Sequence, residues 1–134
     1  MTEPLSFLNR RLMYNSRQTG TDFEKKAVAY LKAKGYEILE KNYRINKGEI
    51  DIVAKDGKYI VFVEVKYRSH SYSGNAEEAV DIRKQRQISD VSVFYLNKKG
   101  YGLDTPCRYD VIALSDKGVI KHIENAFYYC GRYR

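Results

Sequence analysis

The sequence predicts an α/β or α+β domain in which helices cover the faces of a β-sheet. Its 134 residues suit one compact domain with a single core. Hydrophobic residues make up 43% and charged residues 31%, a balance typical of globular proteins. The hydrophobic pattern changes period in the order helix, three strands, helix, two strands. This order predicts a sheet with helices packed against it.

The first predicted helix begins at Thr21, after a segment without clear periodicity. Residues 1–18 are expected to form a flexible N-terminal arm or short helix ahead of a single domain over residues 19–134. Gly35 is the expected helix stop, because glycine readily adopts the backbone conformation that follows a last turn. The apolar stripe of this helix consists of Phe23, Ala27 and Leu31.

The remaining elements follow from strand alternation and turn residues. A second helix is predicted from about Ala76 to Asn97, with Asn75 as its N-cap. Asp56-Gly57 is the turn signal of a hairpin within residues 48–68, and residues 70–75 read as a loop. The other predicted strands are 36–45, 107–114 and 118–123.

The charge of the chain indicates a polyanionic partner. Lys and Arg number 24 against 17 Asp and Glu, which gives a net charge of +7 and a pI near 9.3. Such a field attracts nucleic acid, and the basic residues recur along the chain rather than in one tail. We therefore expect a nucleic-acid partner.

Cysteine use and hydropathy limit the compartment. Cys107 and Cys130 have neither metal-site spacing nor the density of a secreted disulfide framework, so both are expected to be reduced thiols. No apolar run approaches the ~20 residues that span a bilayer, and no signal-peptide pattern is present. The expectation is a cytoplasmic protein without a membrane partner.

Charged residues interrupt the second strand of the predicted hairpin. Because alternate residues of a strand share a face, Glu64 and Lys66 lie on the same face as Phe62. Three valines, at positions 61, 63 and 65, occupy the other face. The strand is therefore expected to be buried on both sides.

The turn position sets which residues of the hairpin face each other. A turn centred on Asp56-Gly57 pairs positions that add to 113, which puts Glu49 opposite Glu64. In this register Glu49, Asp51 and Val53 share one face, and Asp51 lies opposite Phe62. Asp51 and Glu64 become diagonal neighbours, about 7–8 Å apart between backbones, whose side chains can converge.

Two explanations of these converging carboxylates are open at this point. At ~5 Å and an effective dielectric constant of ~20 their repulsion is roughly 3 kcal/mol. A solvated face on which Glu64 and Lys66 form ion pairs would relieve it. A divalent cation would relieve it too, since Mg²⁺ prefers oxygen and is often held by one or two carboxylates.

An acidic residue on one strand and Glu-x-Lys on the next resemble the signature of the PD-(D/E)xK nuclease superfamily. Here Asp51 is followed thirteen positions later (64 − 51) by Glu64-Val65-Lys66, although Ile50 stands where the signature has proline. More closely, the chain resembles the YraN family of small, uncharacterised nuclease-like proteins, related in fold to archaeal Holliday-junction resolvases. The matching stretches are GEIDIVAKDG, VFVEVKYRS, EAVDIRKQRQI, RYDVIAL and HIENAF.

The resemblance implies a restriction-endonuclease-like fold, with a central mixed β-sheet of about five strands flanked by helices. It also implies that Asp51, Glu64 and the backbone carbonyl of Val65 ligate Mg²⁺ or Mn²⁺. Lys66 would position or polarise the attacking water and stabilise developing phosphate charge. By analogy with resolvases, a homodimer acting on branched DNA is implied.

Glu24 and Glu49 each have two open interpretations. Glu24 resembles the acid that related nucleases carry on their first helix, but Thr21-x-x-Glu24 also fits a capping box. Glu49 belongs to the GEID match and is either a supporting acid or a partner of Lys47.

The second helix and the strand end supply the predicted nucleic-acid contacts. Lys84 and Gln87 interrupt an apolar helical face formed with Val80, Ile88 and Val91. Related nucleases place a polar residue there near the active site, whereas a rim position with a snorkelling lysine is the alternative for Lys84. Arg68, Lys84 and Gln87 are the predicted nucleic-acid-binding residues.

Three further residues are assigned no catalytic role. His70 and His122 lack spaced partners and are not predicted to be ligands. Asp110 in RYDVIAL is interpreted as structural, paired with Arg108 or a loop.

Three function classes remain in consideration. The favoured one is a divalent-metal-dependent endonuclease that hydrolyses phosphodiester bonds in DNA, including branched or damaged structures. The alternative is a non-catalytic nucleic-acid-binding protein that retains the fold. A structural interaction domain is the third and least favoured class, because it requires a solvated strand.

Overall fold

The structure, a computed structural model, describes residues 22–68, 80–102 and 104–132. Helix α1 covers residues 22–33 of the described part, and α2 is Ile82–Lys98. The strands are β1 (Glu37–Ile45), β2 (Gly48–Asp56), β3 (Tyr59–Arg68), β4 (Cys107–Ser115) and β5 (Ile120–Phe127). The predicted arm over residues 1–18 lies outside the described residues, and the proposed domain limits stay a prediction.

The five strands form one mixed sheet in the order β1-β2-β3-β4-β5. Neighbours are antiparallel except β3 and β4, which run parallel. Parallel neighbours need a crossover connection, and α2 lies in the segment that joins β3 to β4. The prediction of an α/β fold with a mixed sheet flanked by helices is confirmed.

Each face of the sheet is covered by one helix. Phe62 and Val111 pack against α2 on one face, whereas Val63 and Ile112 pack against α1 on the other. Phe62, Val63, Val111 and Ile112 are fully buried. The expectation that β3 is buried on both sides is therefore confirmed.

The end of α1 follows the sequence signal. Gly35 has φ +97°, a conformation that costs glycine little, and the Tyr36 amide donates to the Leu31 carbonyl at 2.9 Å. The predicted stop at Gly35 is confirmed, and the chain passes from there into β1.

The predicted hairpin register is wrong by one turn position. Asp56 pairs with Tyr59, so the turn consists of Gly57 and Lys58, and Gly57 has φ +58°. Paired positions add to 115, which puts Val53 rather than Asp51 opposite Phe62. A turn with glycine in its first position needs a positive φ only at that glycine, whereas a type I′ turn at Asp56-Gly57 would need a positive φ at Asp56 as well.

The predicted shared face of Glu49, Asp51 and Val53 is also wrong. Ile50 and Val53 both belong to the core on the α2 side, although Ile52 packs on the α1 side. Residues three apart in a regular strand point to opposite faces, so the alternation is broken around Asp51. Regular alternation from Ile50 therefore does not place Glu49 on the face of Val53.

Two other boundaries differ from the predictions. Helix α2 begins at Ile82, where Asp81 is the N-cap and accepts the Lys84 amide at 2.8 Å; the predicted cap Asn75 lies outside the described residues. Strand β5 extends to Phe127 rather than ending at residue 123. Asn125 has φ +53° near an irregularity in the β4–β5 pairing, which explains why the polar sequence ENA did not read as strand.

Cys107 and Cys130 are free thiols, as predicted. Within the described ranges, neither helix has the length and apolar character needed to cross a membrane.

Candidate functional site

The candidate site lies where β2 and β3 separate. Their described pairing ends at Ile52 and Val63. Beyond that point the Val65 amide donates to Asp51 Oδ2 at 2.8 Å, so a side chain replaces the backbone partner. The break in alternation therefore brings the Asp51 carboxylate against β3.

Glu64 is the buried acid of the site. It is 6% exposed, and its Oε2 atom has no hydrogen-bond partner among the described residues. Burial first, and then the nearby Asp51 carboxylate, raise the pKa of Glu64 from 4.5 to about 8. Burial also raises the pKa of Asp51, against the lowering effect of the Val65 amide and of Glu64. The predicted convergence of the two carboxyl groups is present in the structure, but the observed register, continued by one position beyond Ile52 and Val63, puts Asp51 directly opposite Glu64 rather than on the predicted diagonal.

Two lysines flank Glu64 from different elements. Lys66 Nζ on β3 is 4.0 Å from Glu64 Oε1, and Lys84 Nζ on α2 is 3.8 Å from Oε2. Both lysine side chains are about one-third exposed, so their ammonium groups reach solvent while facing the buried carboxylate. Lys84, a predicted secondary residue, thus lies beside the acids rather than away from them.

Gln87 accepts a hydrogen bond from Lys84 and occupies the space next to Gly48. Lys84 Nζ donates to Gln87 Oε1 at 3.0 Å. Gly48 has φ +153°, and a Cβ there would lie 2.5 Å from Gln87 Cγ. The glycine of GEID therefore allows the Gln87 side chain to approach β2 closely.

Glu24 faces the site from α1. Its carboxylate accepts a hydrogen bond from Asn42 Nδ2 at 2.7 Å. Burial is the main cause that raises the pKa of Glu24, the Asn42 hydrogen bond lowers it, and the charges of Asp51 and Glu49 raise it further. Glu24 is thus electrostatically coupled to Asp51 without touching it. The Thr21 partner of the alternative capping box lies outside the described residues.

Glu49 does not face Glu64 as the predicted register required. Glu49 Oε2 accepts from Arg44 Nη2 on β1 at 2.9 Å, an ion pair that sequence reasoning did not propose. Arg68 closes β3 and lies opposite Ser115 of β4 in the parallel register. Its predicted contact with nucleic acid stays a prediction.

The donor set fits a hard divalent cation. Asp51 and Glu64 offer carboxylate oxygens, one of them buried without a hydrogen bond, and the Val65 carbonyl belongs to the same strand. Among the described residues, no three His, Cys, Asp or Glu side chains form a metal-binding group. A pair of carboxylates is nevertheless the usual protein contribution to a Mg²⁺ site, where water and substrate phosphate fill the remaining positions.

Asp110 belongs to a separate structural cluster, as predicted. Arg108 donates to both of its carboxylate oxygens, at 2.9 and 3.0 Å. His122 Nε2 lies 2.8 Å from Oδ2, and the Asn125 amide donates to Oδ1 at 2.9 Å. His70 lies outside the described residues.

Sequence reasoning missed Asn42 and the C-terminal segment. Asn42 has φ +53° within β1, and an asparagine in a strand pattern is the available signal, because it tolerates this conformation. The Arg132 amide donates to buried Asp90 on α2 at 2.7 Å, a long-range contact without a local signature.

The fold and the site define an α/β protein with a buried carboxylate pair flanked by lysines. Residues 23–114 match the family described as "Uncharacterised protein family UPF0102". The chain belongs to this family, which is the YraN family that the sequence motifs resemble.

Full-length relatives agree with this assignment. A UPF0102 protein of Lachnoclostridium phytofermentans is 46% identical over 84% of this chain and 95% of its own. One of Thermodesulfovibrio yellowstonii is 48% identical over 83% of this chain and 96% of its own. One of Pseudomonas fluorescens is 34% identical over 82% and 92%, respectively.

Proposed function

We propose that the protein is a divalent-metal-dependent endonuclease that hydrolyses phosphodiester bonds in DNA. The observation that carries the proposal is the Glu64 carboxylate, buried beside Asp51 with one oxygen lacking a hydrogen bond and with two lysines at its rim. A buried, unsatisfied carboxylate costs stability that hydrophobic packing alone would avoid. Such a cost is characteristic of functional sites, where perturbed carboxylates cluster.

The residues of the site divide into those that would hold the metal ion and those that would stabilise the charge on the phosphate. Asp51, Glu64 and the Val65 carbonyl would hold Mg²⁺ or Mn²⁺, and the bound ion would supply Lewis-acid stabilisation and a more acidic water. The Val65 amide fixes the Asp51 carboxylate through its 2.8 Å hydrogen bond. Glu24 would contact this centre through water, as its electrostatic coupling to Asp51 suggests.

The lysines would act on the phosphate. Lys66 is close to Glu64 yet partly exposed, so its ammonium group can reach a phosphate oxygen and stabilise the charge that develops there. In the reaction, the water oxygen forms a new P–O bond and one bridging P–O bond breaks. The attacking water loses a proton, and the leaving oxygen takes one up.

The central experiment measures cleavage of labelled four-way junction, single-stranded and duplex DNA with Mg²⁺, Mn²⁺ or EDTA. Asp51→Asn, Glu64→Gln and Lys66→Met should each lower the cleavage rate by at least ~10²-fold. Glu37→Gln and Lys55→Met alter exposed residues of β1 and β2 as matched controls and should cleave like wild type. Cleavage in EDTA, or cleavage that survives all three site changes, would refute the mechanism.

A binding readout tests the metal site independently of activity. Mn²⁺ at about ten times its Kd should raise the free energy of unfolding of the wild type by ~1.4 kcal/mol. Glu64→Gln and Asp51→Asn should lose most of this increase, whereas Glu37→Gln should keep it. Equal Mn²⁺ effects on all four proteins would argue against Asp51 and Glu64 as ligands.

The second candidate is a nucleic-acid-binding protein that does not cut. The observation that favours it is the absence of a third acidic or histidine ligand within metal-binding geometry among the described residues. DNA binding that is unaffected by metal, without cleavage of any substrate in the panel, would support this candidate over the enzyme.

A further inference from the structure

A basic cleft runs along the first half of α2 beside the candidate site; we call it the α2 cleft. It has a volume of about 690 Å³. Side chains from α2, from the β1–β2 turn and from the C-terminal segment line it. Its cationic residues are Lys47, Arg83, Lys84, Arg86 and Arg132.

The two acids of the α2 cleft already accept hydrogen bonds from backbone amides. Asp81 accepts the Lys84 amide at 2.8 Å as the helix N-cap. Asp90 is 8% exposed and accepts the Arg132 amide at 2.7 Å. Within residues 22–68, 80–102 and 104–132, no ion pair joins Arg83, Arg86 or Arg132 to an acid. The positive charge of these three arginines therefore faces the cleft uncompensated by the described residues.

The position of these cations opposes the helix dipole. The first turn of α2 has no acidic residue, and Arg83 and Lys84 stand at its positive end. Cations at a helix N-terminus are unfavourable in isolation, whereas an anion placed there gains from both the dipole and the cations. Asp81 supplies one negative charge at this end as the N-cap, and bound phosphates would offset the remaining positive charge.

The α2 cleft is continuous with the carboxylate pair. Lys84 and Gln87 line both this cleft and a smaller cavity of about 330 Å³ that reaches Gly48 and Glu49. Lys84 Nζ is also 3.8 Å from the buried Glu64 Oε2. A strand that lies in the cleft would consequently pass directly to Glu64.

The C-terminal segment is fixed to α2 by its backbone. The Cys130 amide donates to Ser89 Oγ at 3.2 Å, and the Arg132 amide donates to Asp90 Oδ1. Gly131 lies between them, and a Cβ there would be 2.6 Å from Asp90 Oδ1. These contacts hold the Arg132 backbone at the wall of the cleft.

We propose that the α2 cleft binds the phosphate backbone of the nucleic-acid substrate and that the docked C-terminal segment forms one of its walls. The inference deepens the proposed function, because the bound strand is the one that Asp51 and Glu64 would cleave. Arginine supplies three of the five cations, and its planar fork matches phosphate oxygens in pairs. Repeated phosphates of a nucleic acid match this distribution better than the irregular carboxylates of an acidic protein.

Binding of dye-labelled duplex DNA in EDTA, followed by fluorescence anisotropy from 50 to 200 mM salt, tests the α2 cleft without cleavage. The triple variant Arg83→Gln, Arg86→Gln, Arg132→Gln should bind at least ~10-fold more weakly, with a salt slope smaller by about 2–3. The matched control, Lys55→Gln, Lys58→Gln, Lys98→Gln, removes three exposed charges near the opposite end of β3 and should lose less than ~3-fold. Equal losses in both triples, or none in the cleft triple, would overturn the proposal.

A second pair of variants tests the docked segment and the ligand class. Gly131→Ala keeps every charge but puts a Cβ 2.6 Å from Asp90 Oδ1, the acceptor of the Arg132 amide, so it should loosen this contact and weaken binding as much as Arg132→Gln, with thermal unfolding confirming the fold. Wild-type affinity of Gly131→Ala would overturn the wall assignment. Displacement of labelled DNA by polyglutamate as readily as by unlabelled DNA would overturn the nucleic-acid assignment.

The two proposals can fail separately. Cleavage that depends on Asp51 and Glu64 but not on the three arginines would remove the cleft and leave the enzyme. Binding that depends on the three arginines, without cleavage at any metal concentration, would remove the enzyme and leave the cleft.

Discussion

The Glu64 carboxyl group is buried, and its Oε2 atom has no hydrogen-bond partner among the described residues. In the unfolded chain it ionises near its ordinary pKa of 4.5, whereas burial and Asp51 raise the folded-state pKa to about 8. Between these values the folded protein binds more protons than the unfolded one. The free energy of unfolding therefore falls as pH rises from about 4.5 through about 8.

Glu64→Gln should remove this pH-dependent cost. We expect the variant to match the wild type near pH 4.5 and to exceed its free energy of unfolding by a few kcal/mol at pH 9. Urea unfolding in EDTA at both pH values measures the difference. Glu37→Gln, at an exposed position, is the control and should follow the wild type. A Glu64→Gln protein no more stable than wild type at pH 9 would contradict the raised pKa of Glu64.

Gly48 and Gln87 should be energetically coupled. Gly48→Ala introduces a Cβ 2.5 Å from Gln87 Cγ and a side chain at φ +153°, so it should lower the free energy of unfolding by ~1–3 kcal/mol. Adding Gln87→Ala should recover the steric part and leave the backbone part. A double-mutant cycle measures the coupling, and Gly35→Ala, at φ +97° with open space around it, is the control for backbone strain alone. Strict additivity would contradict the contact.

Individual residues show which parts of the candidate site can be predicted from the sequence. Asp51, Glu64 and Lys66 could be selected because charged residues in a strand buried on both sides require a reason. Asn42 could not, because its role depends on a left-handed backbone conformation and on a glutamate from another element. Such a pairing is decided by tertiary packing, which local patterns do not contain.

The order of elements was predictable, but the hairpin register was not. Moving a turn by one residue shifts every cross-strand partner by two positions, and alternation of period two is unchanged by that shift. Residues Asp56, Gly57 and Lys58 allow either turn centre, and only the positive φ of Gly57 at the first turn position distinguishes them. The start of α2 was ambiguous for a similar reason, because Asn75 and Asp81 are both good N-cap residues.

Asp110 ties β4 to β5 and to the segment before β1. Arg108, which is bound to Asp110, also donates to Asp56 and to the Tyr36 hydroxyl. Burial by itself raises the pKa of Asp110, but the His122, Arg108 and Asn125 hydrogen bonds outweigh it and lower the pKa below 3.8. The cluster therefore holds these elements together on the α1 side of the sheet.

Asp110→Asn should lower the free energy of unfolding by ~3 kcal/mol near pH 7, because it removes the buried carboxylate that accepts from Arg108, His122 and Asn125 and leaves Arg108 with the Asp56 carboxylate. The folded-state pKa of Asp110 is lowered, so its contribution is present above pH 3.8 and is lost as pH falls through the folded-state value. The difference from wild type should accordingly shrink in acid. Chemical denaturation at pH 7 and pH 3 measures it, with exposed Asp104→Asn as control. A loss that does not change with pH would contradict the ionised Asp110.

Variants of the α2 N-cap distinguish the effect of capping on stability from the effect of charge on DNA binding. Asp81→Ala removes the acceptor of the Lys84 amide and should lower the free energy of unfolding by ~1 kcal/mol, whereas Asp81→Asn retains a cap and should lose much less. Both variants remove one negative charge from the α2 cleft. The two variants should therefore differ in thermal unfolding but bind DNA equally in the anisotropy assay. Unequal DNA affinities would show that the N-cap also shapes the α2 cleft.

At the scale of the whole molecule, the Asp110 cluster and the basic cleft lie on opposite faces of the sheet. The Asp110 cluster joins β4 to β5 on the α1 face, whereas the α2 face carries the basic cleft that leads to Glu64. The net charge of +7 and the element order were readable from composition and periodicity. The addition of Arg132 to the cations of α2 was not, because Arg132 lies 42 residues beyond Asp90 in the sequence.

The number of candidate metal centres per chain bears on the oligomeric state. The part of the chain that the structure describes presents one carboxylate pair with flanking lysines. A four-way junction is resolved by two symmetric cuts, so the resolvase-like activity implied by the family resemblance requires two chains in a symmetric dimer.

A supercoiled plasmid that extrudes a cruciform distinguishes paired from independent cutting. A dimer should convert it directly to linear DNA, whereas a monomer should first accumulate nicked circles. Mixing wild type with excess Glu64→Gln should raise the nicked fraction if the protein is a dimer, because mixed dimers cut one strand. Nicked circles at every ratio, together with a monomer mass in solution and on the junction, would contradict the dimer and restrict the proposed nuclease activity to single-strand cleavage.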